Sequence, residues 1–129
     1  MTNREKVEAA YEASNAGDPD GFALFMDPDV EWHWGRAVPG ARVLQGIEAA
    51  REGMREWREA WGEFLFEPQE ILERGDAVWA AVRCVATGQG SGLPLELEVA
   101  HLWEFRAGRV VRMRIFGGVD RSREVFLAT

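Results

Sequence analysis

The stretch "VAHLWEFRAGRVVRMRIFGG", residues 99–118, decides the fold. It reads as two β-strands around the tight turn "RAG" at 106–108, with Val99, His101, Trp103 and Phe105 on one face and Ala100, Leu102 and Glu104 on the other. The large aromatics mark the face that helices cover. A three-residue loop with Gly108 in the left-handed conformation pairs Phe105 with Arg109 and His101 with Met113, so Val111, Met113 and Ile115 join the His101 face. Arg112 and Arg114 then lie on the opposite face, Arg112 diagonal to Glu104. A register one residue different would bury both arginines among aromatics.

Working outward, "EFLFEPQEIL" (63–72), "AVWAAVRCVAT" (77–87) and "LPLELEVAHLWEF" (93–105) alternate with the turn "ERGD" and the glycine loop "GQGSG". Together with 109–116 they predict a four-stranded antiparallel meander. Parity leaves two choices on 77–87: Val78, Ala80, Val82, Cys84 and Ala86 face inward, or Trp79, Ala81, Arg83, Val85 and Thr87 do. The first set is uniformly small and apolar, as on an outer surface that another subunit covers. With that set outside, Arg83 enters the hollow beside Trp79, where an unpaired guanidinium is too costly to be packing material. With the parity reversed it meets solvent.

Ahead of the meander, Thr2 and Glu5 have capping-box spacing, and Val7, Ala10, Tyr11 and Ser14 share one helical face. Gly17 ends that helix. Asp18 and Pro19 start a short second one. Val30, Trp32 and Trp34 alternate as a strand, and residues 35–46, with three glycines and a proline, read as a loop over a pocket mouth. Ile47, Ala50, Met54, Trp57 and Trp61 then form a helical stripe, with Arg51, Arg55, Arg58, Glu52, Glu56 and Glu59 on its solvated side. Asp120 opens a last helix over 120–127. Helices first and a meander afterwards predict one α+β domain over 1–129: a cone-shaped curved antiparallel sheet with the N-terminal helices packed on its concave face.

Composition narrows the function. Fifteen basic residues against 22 acidic give a net charge of -7, which disfavours nucleic acid and anionic membrane surfaces as partners. No signal-like start and no apolar run of the roughly 20 residues a membrane span needs is found, so a cytoplasmic protein is expected. Cys84 is the only cysteine and sits in an apolar strand, which predicts a small core residue. "GQGSG" lacks the helix and lysine of a phosphate loop, and Ser91 and Ser122 have no histidine at a triad-like spacing. His33, His101 and Glu31 have no tight metal-ligand spacing, and alternation turns His33 away when Trp32 and Trp34 face in. Neither a metal nor a cofactor is expected.

The stretches "NAGDPDGFALFMDPDVEW" (15–32), "LQGIEAAREGMREW" (44–57) and 99–118 resemble the nuclear transport factor 2-like superfamily, most closely its SnoaL-like branch of polyketide cyclases, with ketosteroid isomerase as a cousin. That resemblance implies an apolar pocket inside the cone and dimers through the outer sheet face. Laid on this chain, the isomerase's base falls on Trp32, and its oxyanion tyrosine falls on Ala10, one place and about 100° from Tyr11. Its protonated aspartate falls on His101, so two of the three roles are lost. The arginine of limonene epoxide hydrolase falls on Arg83, but its two aspartates fall on Val85 and Ile115.

Three functions compete. In the first, an enzyme takes a small apolar, carbonyl-bearing molecule, His101 does acid/base work and Arg83 stabilises oxyanion charge. Tyr11, Trp32, Trp34, Trp57, Trp79, Val99, Trp103, Met113 and Ile115 surround that molecule. In the second, the same pocket binds without reacting. In the third, the domain is a dimerisation module with its cone filled by side chains. The enzyme leads narrowly. Val82, Cys84, Ala86 and Leu102 would form the outer apolar patch of a homodimer. His101, desolvated beside Arg83, should have a pKa below the ordinary value of roughly 6.5.

Overall fold

Thr2 Oγ1 accepts from the Glu5 amide at 3.1 Å and Glu5 Oε1 accepts from the Thr2 amide at 2.9 Å, the reciprocal cap that their spacing predicts at the start of α1 (Asn3–Asn15). Asp18 caps α2 (Pro19–Phe22) through the Gly21 amide. Strand β1 (Met26–His33), the short β2 (Val43–Gln45) and helix α3 (Ile47–Trp61) follow. The meander is β3 (Phe64–Arg74), β4 (Ala77–Thr87), β5 (Pro94–Arg106) and β6 (Arg109–Phe116), and α4 (Val119–Ala128) ends the chain. The computed structural model describes residues 1–35, 42–87 and 94–129. The turn assigned to "GQGSG", with Ser91, and half of the loop expected over the pocket mouth, residues 36–41, lie outside the described residues.

The described strands form one curved sheet in the order β2-β1-β6-β5-β4-β3. β3 to β6 are the predicted antiparallel meander. β1 adds to β6 in parallel, a pairing between strands distant in sequence that alternation cannot announce. β2 lies within the stretch read as loop, and three residues are too few to show a period.

The β5–β6 turn corrects the expected register. Arg106 pairs with Arg109 across a two-residue turn in which both Ala107 (φ 53°) and Gly108 (φ 77°) are left-handed, so the loop has two residues rather than three. A bulge beyond Phe105 takes up one residue of β6, after which Glu104 faces Arg112, Trp103 faces Met113 and His101 faces Ile115. Met113 and Ile115 therefore keep the expected face. Val111 does not: Val110, opposite Phe105, is buried in its place, and Val111 lines the convex side with Arg112. Glu104 accepts from Arg112, now directly opposite, at 2.9 Å (Nε) and 2.7 Å (Nη2), and from the diagonal Arg114 Nε at 3.0 Å.

Burial settles the parity of β4. Val78, Ala80, Val82, Cys84 and Ala86 belong to the main core with Trp32, Phe64 and Trp103. Trp79 and Ala81 instead join Ala100 and Phe126 on the convex face, where α4 covers them and Trp79 Nε1 donates to Ser122 Oγ at 3.0 Å. Small side chains on β4 leave the concave side free for rings from β1, β3, β5 and the helices, while one broad indole fills the gap under α4. Two expectations fail as a result. Trp79 and Arg83 lie outside the hollow, and the outer patch drawn for a homodimer loses Val82, Cys84 and Ala86 to the core.

The α3 stripe closes the concave side. Gly53 is buried where the helix comes closest, and a Cβ there would stand 2.5 Å from Leu44 Cδ1 and 3.1 Å from Trp34 Cζ2. Among the described residues no helix is long and apolar enough to cross a membrane.

Candidate functional site

Between α3 and the concave face lies a cavity of about 70 Å³ whose wall is almost wholly apolar. β1 supplies Trp32, with Trp34 just past its end, α3 supplies Trp57, β5 supplies Val99, and β6 supplies Met113 and Ile115. His101 reaches the same wall from β5. Seven of the expected residues are thus brought together. Tyr11 and Trp103 stand behind His101 rather than on the wall.

Those two residues set the chemistry of the ring. Tyr11 comes from the buried face of α1, its hydroxyl lies 2.8 Å from His101 Nδ1, and Trp103 Nε1 donates to the same hydroxyl at 3.1 Å. An indole N–H only donates, so the Tyr11 oxygen accepts from Trp103, and the arrangement that also gives the phenol hydrogen a partner directs it to His101 Nδ1. The remaining nitrogen, Nε2, then carries the imidazole proton. This tautomer satisfies all three side chains with one chain of bonds and leaves an N–H donor on a residue of the cavity wall.

Burial dominates the electrostatics. His101, 3% exposed, has its pKa pushed down to about 3 by desolvation, with the rings of Tyr11 (5.7 Å), Phe66 (5.6 Å) and Trp103 (6.3 Å) around it. The expected direction holds, but Arg83 plays no part in it. Arg83 sits on the convex side against Glu96, with Glu67 at 3.9 Å, and its guanidinium is held further in the charged state first by the Glu96 hydrogen bond. Burial also raises the Tyr11 phenol, against the opposing Trp103 hydrogen bond, and pushes the Cys84 thiol up to about 12. The site is therefore neutral at pH 7 apart from one residue. That residue is Arg58, which the helical stripe placed on the solvated side of α3 and which instead lines the cavity with Met54.

Outside the cavity, Arg51 Nε is buried without a partner among the described residues, and the other polar groups that could make a site are occupied. His33 faces away from the cavity and its Nε2 lies 2.9 Å from Glu31 Oε1. A larger groove of about 600 Å³ runs under α4, but Trp79, Arg74 and Arg114 there already bond Ser122, the Leu127 carbonyl and Glu104. Among the described residues no three His, Cys, Asp or Glu side chains gather to hold a metal ion.

Sequence reasoning missed Met54 and Arg58 as a pair, although their i, i+4 spacing was visible and only the helix's rotation was not. It also missed the Tyr11 link to His101, which depends on how α1 docks on β5, 90 residues away in sequence.

A model of the SnoaL-like domain matches residues 7–113. No curated protein matches the chain. Among solved structures, a nuclear transport factor 2-like protein from Burkholderia thailandensis is similar at 26% identity and TM-score 0.82, covering 98% of each chain. TerC, co-crystallised with polyporic acid, is similar at 25% identity and TM-score 0.78, covering 97% of this chain and 98% of its own. A Catenulispora acidiphila protein with a ketosteroid isomerase-like fold, in complex with trimethylamine, shares 15% identity at TM-score 0.79 over 89% of this chain and 86% of its own.

Proposed function

The chain belongs to the SnoaL-like domain family, and we propose that its concave cavity binds a small, mostly apolar molecule, of the kind found as a ring in polyketides, steroids or terpenoids, through one oxygen that accepts from His101 Nε2–H. The observation that carries this reading is the Trp103–Tyr11–His101 chain, which ends at a ring on a mostly apolar wall where the Trp57 indole N–H is also buried without a partner among the described residues. Size sets the occupant. About 70 Å³ is below the roughly 150 Å³ of an apolar cavity that accepts benzene, so a single ring enters only by displacing a flexible wall residue. Met54, unbranched and partly buried, is that wall. An NMR titration with acetophenone tests the reading. A saturable shift of the His101 ring signals supports it, and an unchanged spectrum at millimolar ketone on folded protein overturns it.

The same hydrogen-bond chain favours a second reading, cofactor-independent isomerase, cyclase or lyase chemistry in which solvent hydroxide takes the α-proton of the substrate as water and the enolate oxygen so formed is held beside His101. A ring with a pKa near 3 is a feeble base but a competent neutral donor to an oxyanion. Deuterium exchange at the acetophenone methyl group, faster with wild type than with His101→Gln, distinguishes catalysis from binding.

A further inference from the structure

The cavity and an outer groove of about 370 Å³ meet at three shared residues, Ser14 at the end of α1 and Met54 and Arg58 one turn apart on α3. Three arginines of α3 line that groove. Arg51 pairs with Glu48 at 3.0 Å and Asp20 at 3.3 Å, and Arg55 pairs with Glu52. Arg58 is different: among the described residues no carboxylate lies within ion-pair distance, and the hydrogen bond it makes runs from Nη2 to the Ser14 carbonyl. A guanidinium has five N–H donors, so this bond leaves four uncommitted. Gly17 holds the space beside it open, since a Cβ there would stand 3.3 Å from Arg58 Nη1.

The position is chemically specific. Arg58 is the one charged side chain on the cavity wall among the described residues, and it is a cation in a chain of net charge -7. A partly desolvated guanidinium without a counter-ion gains most from an anion that arrives with its own apolar body. Resting on the reading that the cavity takes a ligand, we propose that this ligand is an aromatic or alicyclic acid, its ring in the cavity and its carboxylate at the mouth on Arg58. Met54 yields to the ring and Arg58 selects the charge. Selection of this kind also discriminates against neutral rings of the same shape.

Benzoate and benzamide match in shape and differ in charge, which makes them the test pair. Tryptophan fluorescence titrations of wild type should give benzoate about tenfold tighter binding than benzamide, the scale of one charge-assisted pair. Arg58→Met, which keeps the apolar stem, should bring the two affinities together, and Arg58→Lys should keep part of the difference. The wild type supplies a readout independent of any variant's folding: benzoate should shift the Arg58 Nε–H resonance and weaken with added salt, and benzamide should do neither. Equal affinity of wild type for both probes overturns the anion selection and leaves the pocket standing. Failure of both to bind folded wild type overturns the pocket and this inference together.

Discussion

The Tyr11 hydroxyl and His101 Nδ1 stand 2.8 Å apart across 90 residues of chain, and the same hydroxyl receives the Trp103 indole hydrogen. One oxygen therefore joins α1 to β5. Tyr11→Phe keeps the ring and removes that oxygen, leaving Trp103 Nε1 and His101 Nδ1 buried without it. Urea unfolding should show a loss of about 1–3 kcal/mol, and a double-mutant cycle with His101→Gln should show strong coupling. Independent losses would mean that the bond contributes nothing as a unit.

The depressed His101 pKa makes stability depend on pH with a definite sign. The unfolded ring takes up a proton near the ordinary value of roughly 6.5, while the folded ring stays neutral until about 3, so the unfolded state binds more protons between these values. The stabilisation is complete above pH 6.5 and is lost as the pH falls toward 3, by up to about 1.4 kcal/mol per pH unit. Urea midpoints of wild type and His101→Gln between pH 7.5 and pH 4.5 should converge as the pH falls. Parallel curves would place the ring in contact with water.

Met54→Ala should exchange stability for space. Removing a partly buried thioether costs about 1–2 kcal/mol, below the fully buried range, and enlarges the cavity, leaving less wall for one ring to displace. Acetophenone should bind this variant more tightly than wild type, as read by tryptophan fluorescence. Weaker binding would show that Met54 grips the ligand rather than blocking it.

Arg83→Gln should be silent. Its side chain, 43% exposed on the convex face beside Glu96 and Glu67, forms the surface kind of ion pair. Thermal unfolding should change by less than about 0.5 kcal/mol, and acetophenone affinity should be unaltered. A tenfold loss of binding would return Arg83 to the site.

Ala107→Asn should stabilise the β5–β6 turn. Ala107 holds φ at 53°, a left-handed conformation that costs an ordinary L-residue about 1–2 kcal/mol and that asparagine tolerates better. A gain of about 0.5–1 kcal/mol in urea unfolding is expected, with the site untouched. A loss would mean that the methyl group packs against something the asparagine disturbs.

Caps, periods and turn residues made most of the fold readable. Thr2 with Glu5 and Asp18 with Pro19 act within four residues of themselves, so their helices begin where the chain says. The rings of Trp32, Trp34 and Trp103 had to find a covered face, and period two told which residues travel together. The inward face of His101 was readable for the same reason, since its parity follows Trp103.

What the chain alone determines here is local: which residues share a helix stripe or a strand face. Which face turns inward is a global matter. On β4 both alternatives satisfied alternation, and the choice came from volume, since rings from six elements already fill the concave side and leave room only for Val78, Ala80, Val82, Cys84 and Ala86. Arg83 went outside with that choice. The same holds for the Tyr11 bond to His101, the parallel pairing of β1 with β6 and the approach of Arg58 to Ser14. Each depends on distances between elements remote in sequence, and those distances are set by packing, which alternation and capping do not encode.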